Sequence, residues 1–288
     1  MDIKTIVIPE KFNPRNVIDF LREWVKFAND QSLRIDVSQN LFCGVGGIAM
    51  LASCLSYRKE NGWVTSLLVN PDNEVFRYLQ RIDFFHVLGV ETQEKFSRHP
   101  AEGRFVPLQS ITTEMEAGEL ANAIIHCIRV QVPDIPPSLL NYSRFILDEL
   151  GVNIVQHAEA GQTGFGLGQV YHQIGILEYA YADYGIGILQ SFAKNLEFAT
   201  RIEDDDAAIR LALQDNISSS TNARRNMGAG LYEFERICQR MNGELWILSG
   251  NACLYRKYTK RICIVDKSVT TSKYHGTWIC FRAPLQQA

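Results

Sequence analysis

The sequence predicts an α/β protein in which a small α/β layer domain is followed by an α/β sandwich. Two observations lead to this prediction. Strand-like and helical apolar patterns alternate through the first third of the chain. The second half opens instead with a long amphipathic helix, and strand-like runs follow in consecutive groups. Consecutive strands favour an antiparallel-rich sheet over a doubly wound parallel one.

The N-terminal elements are predicted from apolar spacing. Helical spacing predicts three helices, at 16–27, 47–57 and 73–84. Short apolar runs predict three strands, at 5–9, 33–37 and 63–69. Asn73 or Asp72 is suited to cap the third helix. The polar segment that follows, from residue 94 to residue 110, contains three turn-forming residues and predicts a linker. We therefore expect an α/β domain at 1–95 and a linker with a connecting helix at 96–136.

The C-terminal domain is predicted at 137–288. Residues 111–130 place apolar side chains on one helical face and predict the connecting helix that precedes it. Pro137 suits the first turn of a helix over 137–158. The remaining predictions are two strand-like runs within 165–182, helices at 204–214 and 231–241, and strands at 244–248, 261–265 and 277–282.

The composition is that of a globular protein and gives no support for several functional classes, such as nucleic-acid-binding or membrane proteins. The chain is 46% hydrophobic and 21% charged, with a net charge of −3, as in ordinary globular proteins. This charge offers no electrostatic argument for binding nucleic acid or an anionic membrane. The N-terminus lacks the apolar core of a signal peptide. No apolar run reaches the roughly 18–20 residues of a membrane span, so we expect a cytoplasmic protein.

The seven cysteines show neither CxxC pairs nor zinc-site spacing. Most of them lie among apolar residues, for example Cys54, Cys238 and Cys263. We interpret them as small buried hydrophobic residues in a reducing compartment.

Four short motifs in the second half carry the chemistry, and their order predicts an ATP pocket. They are Glu149 with Asn153, Asp183 with Gly185 and Gly187, Gly228 with Gly230 and Leu231, and Gly276 with Thr277. Each motif is weak alone. The ordinary interpretations of the first three are, in that order, a solvated helix face, a strand-to-turn sequence and a helix start. The joint order of the four favours the functional interpretation.

Each motif supplies one requirement of such a pocket. The Asp183 carboxylate can accept a hydrogen bond from the adenine amino group. Gly185 and Gly187 allow the backbone to approach a ligand closely. Gly228 and Gly230 precede a helix, whose free N–H groups favour phosphate.

Glu149 and Asn153 are four residues apart on the predicted helix and therefore share one face. The amide oxygen of Asn153 suits Mg²⁺, which takes few protein ligands besides phosphate. Glu149 can orient or deprotonate the attacking group.

Residues 143–284 resemble the GHKL (Bergerat fold) ATPases, the superfamily of gyrase B, a heat-shock chaperone, histidine kinases and mismatch-repair proteins, and most of all the small anti-sigma factor kinases. The resemblance implies these roles: catalytic base Glu149, Mg²⁺ ligand Asn153, adenine anchor Asp183, adenine turn Gly185 and Gly187, phosphate loop Gly228 and Gly230, and Thr277 behind an adenine-side water. Two departures are Gly151 inside the helix and Ile154 in place of a small residue.

Residues 36–46 resemble the phosphorylation segment of STAS domains, the fold of anti-sigma factor antagonists. The phosphorylated serine of that family falls at Gly44, which has no hydroxyl group. The resemblance therefore implies a STAS-like domain that is not switched by phosphorylation at this position. An unrelated α/β layer remains the alternative.

The segment 188–227 corresponds to the ATP lid of a GHKL protein. Arg224 or Arg225 can reach a γ-phosphate there, and a solvated loop is the equal alternative. The acidic run 204–206 is interpreted as charge at a helix N-terminus.

The connecting helix carries two further features. His126 occupies the place of a histidine-kinase phosphoacceptor but lacks the acidic neighbour, so a packed histidine is the favoured interpretation. The apolar helix around Ile124 suits a homodimer contact, and the sequence leaves the oligomeric state open.

Together these features predict a cytoplasmic ATP- and Mg²⁺-binding regulatory protein. ATP would be hydrolysed, or its phosphate transferred to a serine or threonine of a regulatory protein partner. The alternative is a non-hydrolysing switch in which ATP changes a protein-binding surface.

Overall fold

The computed structural model describes residues 3–157, 163–194, 202–214 and 230–284. The strands in these ranges are β1 (Lys4–Val7), β2 (Lys11–Phe12), β3 (Ser32–Asp36), β4 (Phe42–Cys43), β5 (Val64–Leu68), β6 (Phe105–Ile111), β7 (Gly164–Tyr171), β8 (Ile176–Asp183), β9 (Glu244–Thr259) and β10 (Ile262–Pro284). The helices are α1 (Val17–Phe27), α2 (Val45–Glu60), α3 (Glu74–Arg81), α4 (Phe84–Val87), α5 (Glu114–Gln131), α6 (Pro137–His157), α7 (Gly187–Ala193), α8 (Asp205–Ala212) and α9 (Gly230–Arg240). The predicted α/β class is confirmed.

The larger sheet is antiparallel throughout, with strand order β6-β7-β8-β10-β9. In its register Gly164 of β7 pairs with Asp183, the last residue of β8. On the other side of β8, Trp278 of β10 pairs with Ala182. The end of β8 therefore lies between two paired neighbours, so Asp183 is held from both sides.

The smaller sheet is parallel, with strand order β1-β3-β5. Its buried side chains include Ile6, Leu33 and Ile35, which pack into one apolar core with α1 and α2. The short pair of β2 and β4 is also parallel. Alternation of parallel strands with helices is what the N-terminal sequence pattern predicts.

Helix α2 lies between the smaller sheet and the larger one. It contacts β5 on one side and β7, β8 and β10 on the other. Buried residues occur all round the helix, as expected for a helix whose sequence is apolar on every face. Side chains from both halves of the chain, including Ile48, Ala180 and Trp278, therefore belong to one core.

Helices α5, α6 and α9 cover the opposite face of the larger sheet. The predicted inward residues of α5 are buried, and the Thr113–Glu116 capping box fixes the start of that helix. Ile124 is 1% exposed, so its side chain packs within its own chain, and the homodimer suggested by the sequence stays a prediction. The resulting order of layers is helices, antiparallel sheet, helices and parallel sheet.

Two parts of the predicted pattern differ from the structure. The predicted linker contains β6, an edge strand of the larger sheet; Pro107 lies at a bulge between Val106 and Gln109, which breaks the expected alternation. Three short strands were predicted at the end of the chain, and the structure has two long strands there instead. These are β9 and β10, joined by a two-residue turn. Lys260 and Arg261 form that turn with positive φ angles of 49° and 63°.

The cysteine prediction is correct for six positions and wrong for Cys263, which is exposed near the β9–β10 turn. Burial raises the pKa of Cys253 to about 12, so this thiol has little nucleophilic character. Within the described residues, no helix is long and apolar enough to cross a membrane.

Candidate functional site

Asp183 ends β8 and is 7% exposed. Its Oδ1 atom accepts hydrogen bonds from the backbone N–H of Gly185, at 2.8 Å, and from that of Thr277, at 3.2 Å. Neither contact uses Oδ2, and no other hydrogen bond of the described residues does so. The carboxylate is thus oriented by the turn on one side and by β10 on the other, with one oxygen left for a ligand.

Burial raises the pKa of Asp183 from 3.8 to about 6, and the two backbone hydrogen bonds oppose this shift. The carboxylate is still mainly ionised at neutral pH. A buried, ionised acceptor with one unused oxygen is suited to bind an amino group donated by a ligand.

Gly276 and Gly187 permit the close approach of backbones around Asp183. Gly276 has a φ angle of 96°, and a Cβ atom there would lie 2.2 Å from the Asp183 carbonyl oxygen. Gly187 has a φ angle of 79°, and a Cβ atom there would lie 2.8 Å from Ser249 Oγ. At both positions a side chain would be strained by the positive φ angle and would also approach a neighbouring atom too closely.

Ser249 is a site residue that the sequence analysis did not identify. It is 1% exposed, accepts a hydrogen bond of 2.8 Å from the Ile188 N–H and donates one of 3.2 Å to the Gly276 carbonyl. It therefore ties the start of α7 to the glycine turn of β10. Its only sequence signal is a serine that follows the apolar run of β9 directly.

Ser53 and Tyr274 contact the backbone carbonyl of Asp183 and were also not identified from the sequence. Ser53 Oγ lies 2.9 Å from the Asp183 carbonyl oxygen, and so does the Tyr274 hydroxyl. The two hydroxyl groups are 2.7 Å apart and are both buried. Because Ser53 belongs to α2, the N-terminal half of the chain contributes directly to the site.

Glu149 and Asn153 share one half-buried face of α6, as predicted. This face is separate from the buried stripe of Leu147, Leu150 and Ile154. Burial, and secondarily the negative charge of Asp148, raises the pKa of Glu149. A raised pKa makes a carboxylate a stronger base at neutral pH. No hydrogen bond within the described residues engages either side chain.

The two unusual residues of α6 have structural explanations. A Cβ atom at Gly151 would lie 2.6 Å from Ala117 Cβ, so the glycine permits α5 and α6 to pack closely. Ile154 extends over Gly164. A Cβ atom at Gly164 would lie 2.1 Å from Cγ2 of Ile154. Because Gly164 pairs with Asp183, this contact places the Asn153 end of α6 over the same end of the sheet.

Helix α9 begins at Gly230 and packs against α6. Leu231, its second residue, packs at the edge of the core formed by α5, α6 and the sheet. Gly228 lies outside the described residues, as do Arg224, Arg225 and half of the predicted lid. The part that is described includes α8, where Asp204 caps the helix by accepting a hydrogen bond from the Ala207 N–H, as the acidic run predicted.

The structure also shows the surroundings of His126 and Gly44, two residues that the sequence analysis singled out. His126 is an exposed helix residue 3.3 Å from Glu102, so its interpretation as a packed histidine is wrong. Gly44 is the N-cap of α2, and a Cβ atom there would lie 3.4 Å from Glu178 Oε1. A carboxylate so near would repel a phosphorylated side chain at this position.

These residues fit a Mg²⁺-nucleotide better than a metal held by protein alone. The described residues contain no group of three or more His, Cys, Asp or Glu side chains suited to a metal ion. A single amide oxygen on α6 is consistent with Mg²⁺ that takes its other ligands from phosphate and water. The unused oxygen of Asp183 matches an exocyclic amine.

No protein-family model matches the chain, and the search of curated proteins finds no significant relative.

Proposed function

We propose that this chain is an ATP-binding regulatory protein whose C-terminal half is a GHKL-type ATPase domain of the anti-sigma factor kinase kind. The strongest support is the arrangement around Asp183. One carboxylate oxygen is fixed by Gly185 and Thr277, and the other remains for the adenine amino group. Gly187 and Gly276 supply the close backbone approach that such a pocket needs.

The α6 residues take the catalytic roles in this proposal. Asn153 is the protein ligand of Mg²⁺, which when bound offsets the negative charge of the phosphates. Glu149 removes a proton from the attacking hydroxyl group, which belongs either to water or to a serine or threonine of a protein partner. Its raised pKa favours this role. Gly228 and Gly230 remain the proposed phosphate loop, at the N-terminal end of α9.

The N-terminal half is proposed to be STAS-like, and the protein to act in a partner-switching system in the cytoplasm. Support for a coupled system comes from Ser53, which joins α2 to the Asp183 backbone. The same contact favours a second candidate, a non-hydrolysing switch in which ATP changes the N-terminal surface without turnover. Both candidates need the same nucleotide pocket and differ only in the chemistry that follows binding.

One experiment tests the pocket, and a second separates the two candidates. Calorimetric titration of the full chain with a non-hydrolysable ATP analogue and Mg²⁺ should show one-to-one binding that Asp183→Asn weakens. Absence of binding to the wild-type protein overturns the proposal. Incubation with γ-labelled ATP, with and without cell extract, should then release labelled phosphate or label a protein. Binding without either product supports the switch.

A further inference from the structure

A recess of about 500 Å³ lies at the end of β7 that is remote from Asp183. Its polar lining comes from four separate parts of the chain: Arg81, His99 with Arg104, Gln131, and Gln169 with His172. Pro100 and Phe105 add apolar surface. Its volume falls within the range of small-ligand sites, about 300–1,000 Å³.

The recess concentrates positive charge in a chain whose net charge is −3. No aspartate or glutamate of the described ranges lines it. Its two arginine and two histidine side chains make no ion pair or side-chain hydrogen bond with any described residue. Nearby Arg98 is different, because Asp83 and Glu94 neutralise it. The two guanidinium groups are thus left without a described anionic partner, and an anionic ligand in the recess would be attracted by their charge.

Hydrogen bonds fix the loop that carries Arg104. The Arg104 N–H donates a hydrogen bond of 2.9 Å to Ala101, and the Arg104 carbonyl accepts one of 3.4 Å from Val170. The side chain of Gln131 donates to the Gly103 carbonyl, which ties the same loop to α5. Arg81 ends α3 and His172 directly follows β7. The recess is therefore lined by residues of α3, α5 and β7 and by the loop that leads into β6.

We propose that this recess binds a small phosphorylated molecule. Two guanidinium groups that bind oxyanions bidentately suit a phosphate, and the amide and imidazole groups supply further donors. Phe105 and Pro100 would contact the organic part of the ligand. Four segments of the chain converge on the recess, which suits a small molecule better than an extended polymer.

This site is distinct from the proposed nucleotide pocket and does not depend on it. Tyr171 pairs with Ile176, seven residues before Asp183 on β8. At about 3.4 Å per residue, the two sites are separated by roughly 24 Å along the sheet. The N-terminal half contributes to both, through Ser53 in one and Arg81 in the other.

Calorimetric titration of the full chain with pyrophosphate and with ribose 5-phosphate tests the proposal. The double variant Arg81→Gln/Arg104→Gln should weaken binding at least tenfold. The matched control is Arg22→Gln/Arg77→Gln, which removes the same charge from two exposed arginines that are paired with Asp19 and Glu74. The control should retain wild-type affinity. Asp183→Asn should also leave this affinity unchanged, which separates this result from the nucleotide proposal.

The proposal is overturned if the wild type binds neither probe, or if the control loses as much affinity as the recess variant. A phosphorylated peptide that binds far more tightly than both probes, through Arg81 and Arg104, would also overturn the small-molecule assignment. Both arginines are exposed, so the variants should fold. If the double variant does not, His172→Gln alone should weaken binding about threefold, and unchanged affinity there would count against the recess.

Discussion

Ser53 Oγ, on helix α2, lies within hydrogen-bonding distance of the carbonyl oxygen of Asp183, at 2.9 Å. The side chain of the same Asp183 is the proposed adenine anchor. A residue of the N-terminal half thus holds the backbone of the residue that would recognise the nucleotide. Movement of α2 against the larger sheet and occupancy of the pocket are therefore expected to affect each other.

Replacing Ser53 by alanine tests this connection. The Asp183 carbonyl keeps its hydrogen bond from Tyr274, so we expect a stability loss of only about 1 kcal/mol. Affinity for an ATP analogue should fall about threefold, because one restraint on Asp183 is lost. Ser56→Ala, three residues later on the same helix, serves as the control. Chemical denaturation measures the stability loss and calorimetry measures the affinity. Equal nucleotide affinity in the two variants would show that Ser53 does not support nucleotide binding.

Asp183→Asn should weaken binding of the ATP analogue roughly ten- to hundred-fold. The asparagine retains an oxygen that can accept from Gly185 and Thr277, so the turn should persist. It replaces the other oxygen by an amino group, which would face the adenine amine as a second donor. Calorimetry on a variant with an unchanged circular dichroism spectrum measures the loss. Wild-type affinity in that variant would refute the adenine assignment.

The pH dependence provides an independent check on Asp183. With a pKa of about 6, the carboxyl group is largely protonated at pH 5 and can no longer accept from an amine. Affinity should therefore fall about tenfold between pH 7 and pH 5. Comparison with Asp183→Asn cancels the titration of the nucleotide phosphates. The two proteins should show different pH profiles, and parallel profiles would contradict the prediction.

The same shift predicts how stability changes without nucleotide. Because its pKa is raised on folding, Asp183 binds a proton more tightly in the folded chain than in the unfolded one. Its contribution to stability is full below about pH 4 and is lost as the pH rises through 6. At pH 8, Asp183→Asn should thus be more stable than the wild type, by at most about 3 kcal/mol. Urea denaturation at pH 4 and pH 8 measures the difference, which should be much smaller at pH 4.

Glu149→Gln should abolish turnover while leaving nucleotide affinity nearly unchanged. The carboxylate is assigned to proton removal, so its loss should lower the turnover rate and leave the affinity for the nucleotide unchanged. Asp148→Asn is the matched control, because it removes the adjacent carboxylate of the same helix and leaves burial, the larger cause of the raised Glu149 pKa, in place. Release of labelled phosphate and calorimetry are measured on both variants. Near wild-type turnover in Glu149→Gln would exclude it as the base.

Asn153→Ala should remove most of the Mg²⁺ dependence of ATP binding, since its amide is the only protein ligand assigned to the metal. Titrations with Mg²⁺ and with EDTA give the dependence for each protein. Glu149→Gln should keep the wild-type response to Mg²⁺. Equal stimulation of Asn153→Ala and wild type would argue against the metal role.

The sequence predicted those parts of the fold that local patterns determine. Helices α1, α5 and α6 follow from apolar spacing, and Asp183 from its position at the end of a buried strand. Strand β6 was missed because Pro107 interrupts its pattern at a bulge. The β9–β10 turn was missed because Lys260 and Arg261 are not the usual residues of such a turn.

The missed site residues depend on long-range packing. Ser53 is 130 positions from Asp183, and Tyr274 is 91 positions from it. A serine within an apolar helix carries no local signal that its hydroxyl group reaches another half of the chain. Only the packing of α2 on β8 brings these groups together.

Gly276→Ala should be the most damaging substitution in the site, and Gly62→Ala separates its two causes. Both glycines have a positive φ angle, 96° and 73°, so both variants incur the conformational cost of a side chain, about 1 kcal/mol. A Cβ atom at Gly62 meets nothing within 4 Å, whereas one at Gly276 would lie 2.2 Å from the backbone oxygen of Asp183. Backbone in a buried strand cannot move aside as a flexible side chain can. We therefore expect Gly276→Ala to lose more than about 3 kcal/mol of unfolding free energy, or to fail to fold, and any folded protein to bind the ATP analogue at least tenfold less tightly. Urea denaturation and calorimetry on both variants measure this, and similar small losses at the two positions would contradict the close approach of Gly276 to Asp183.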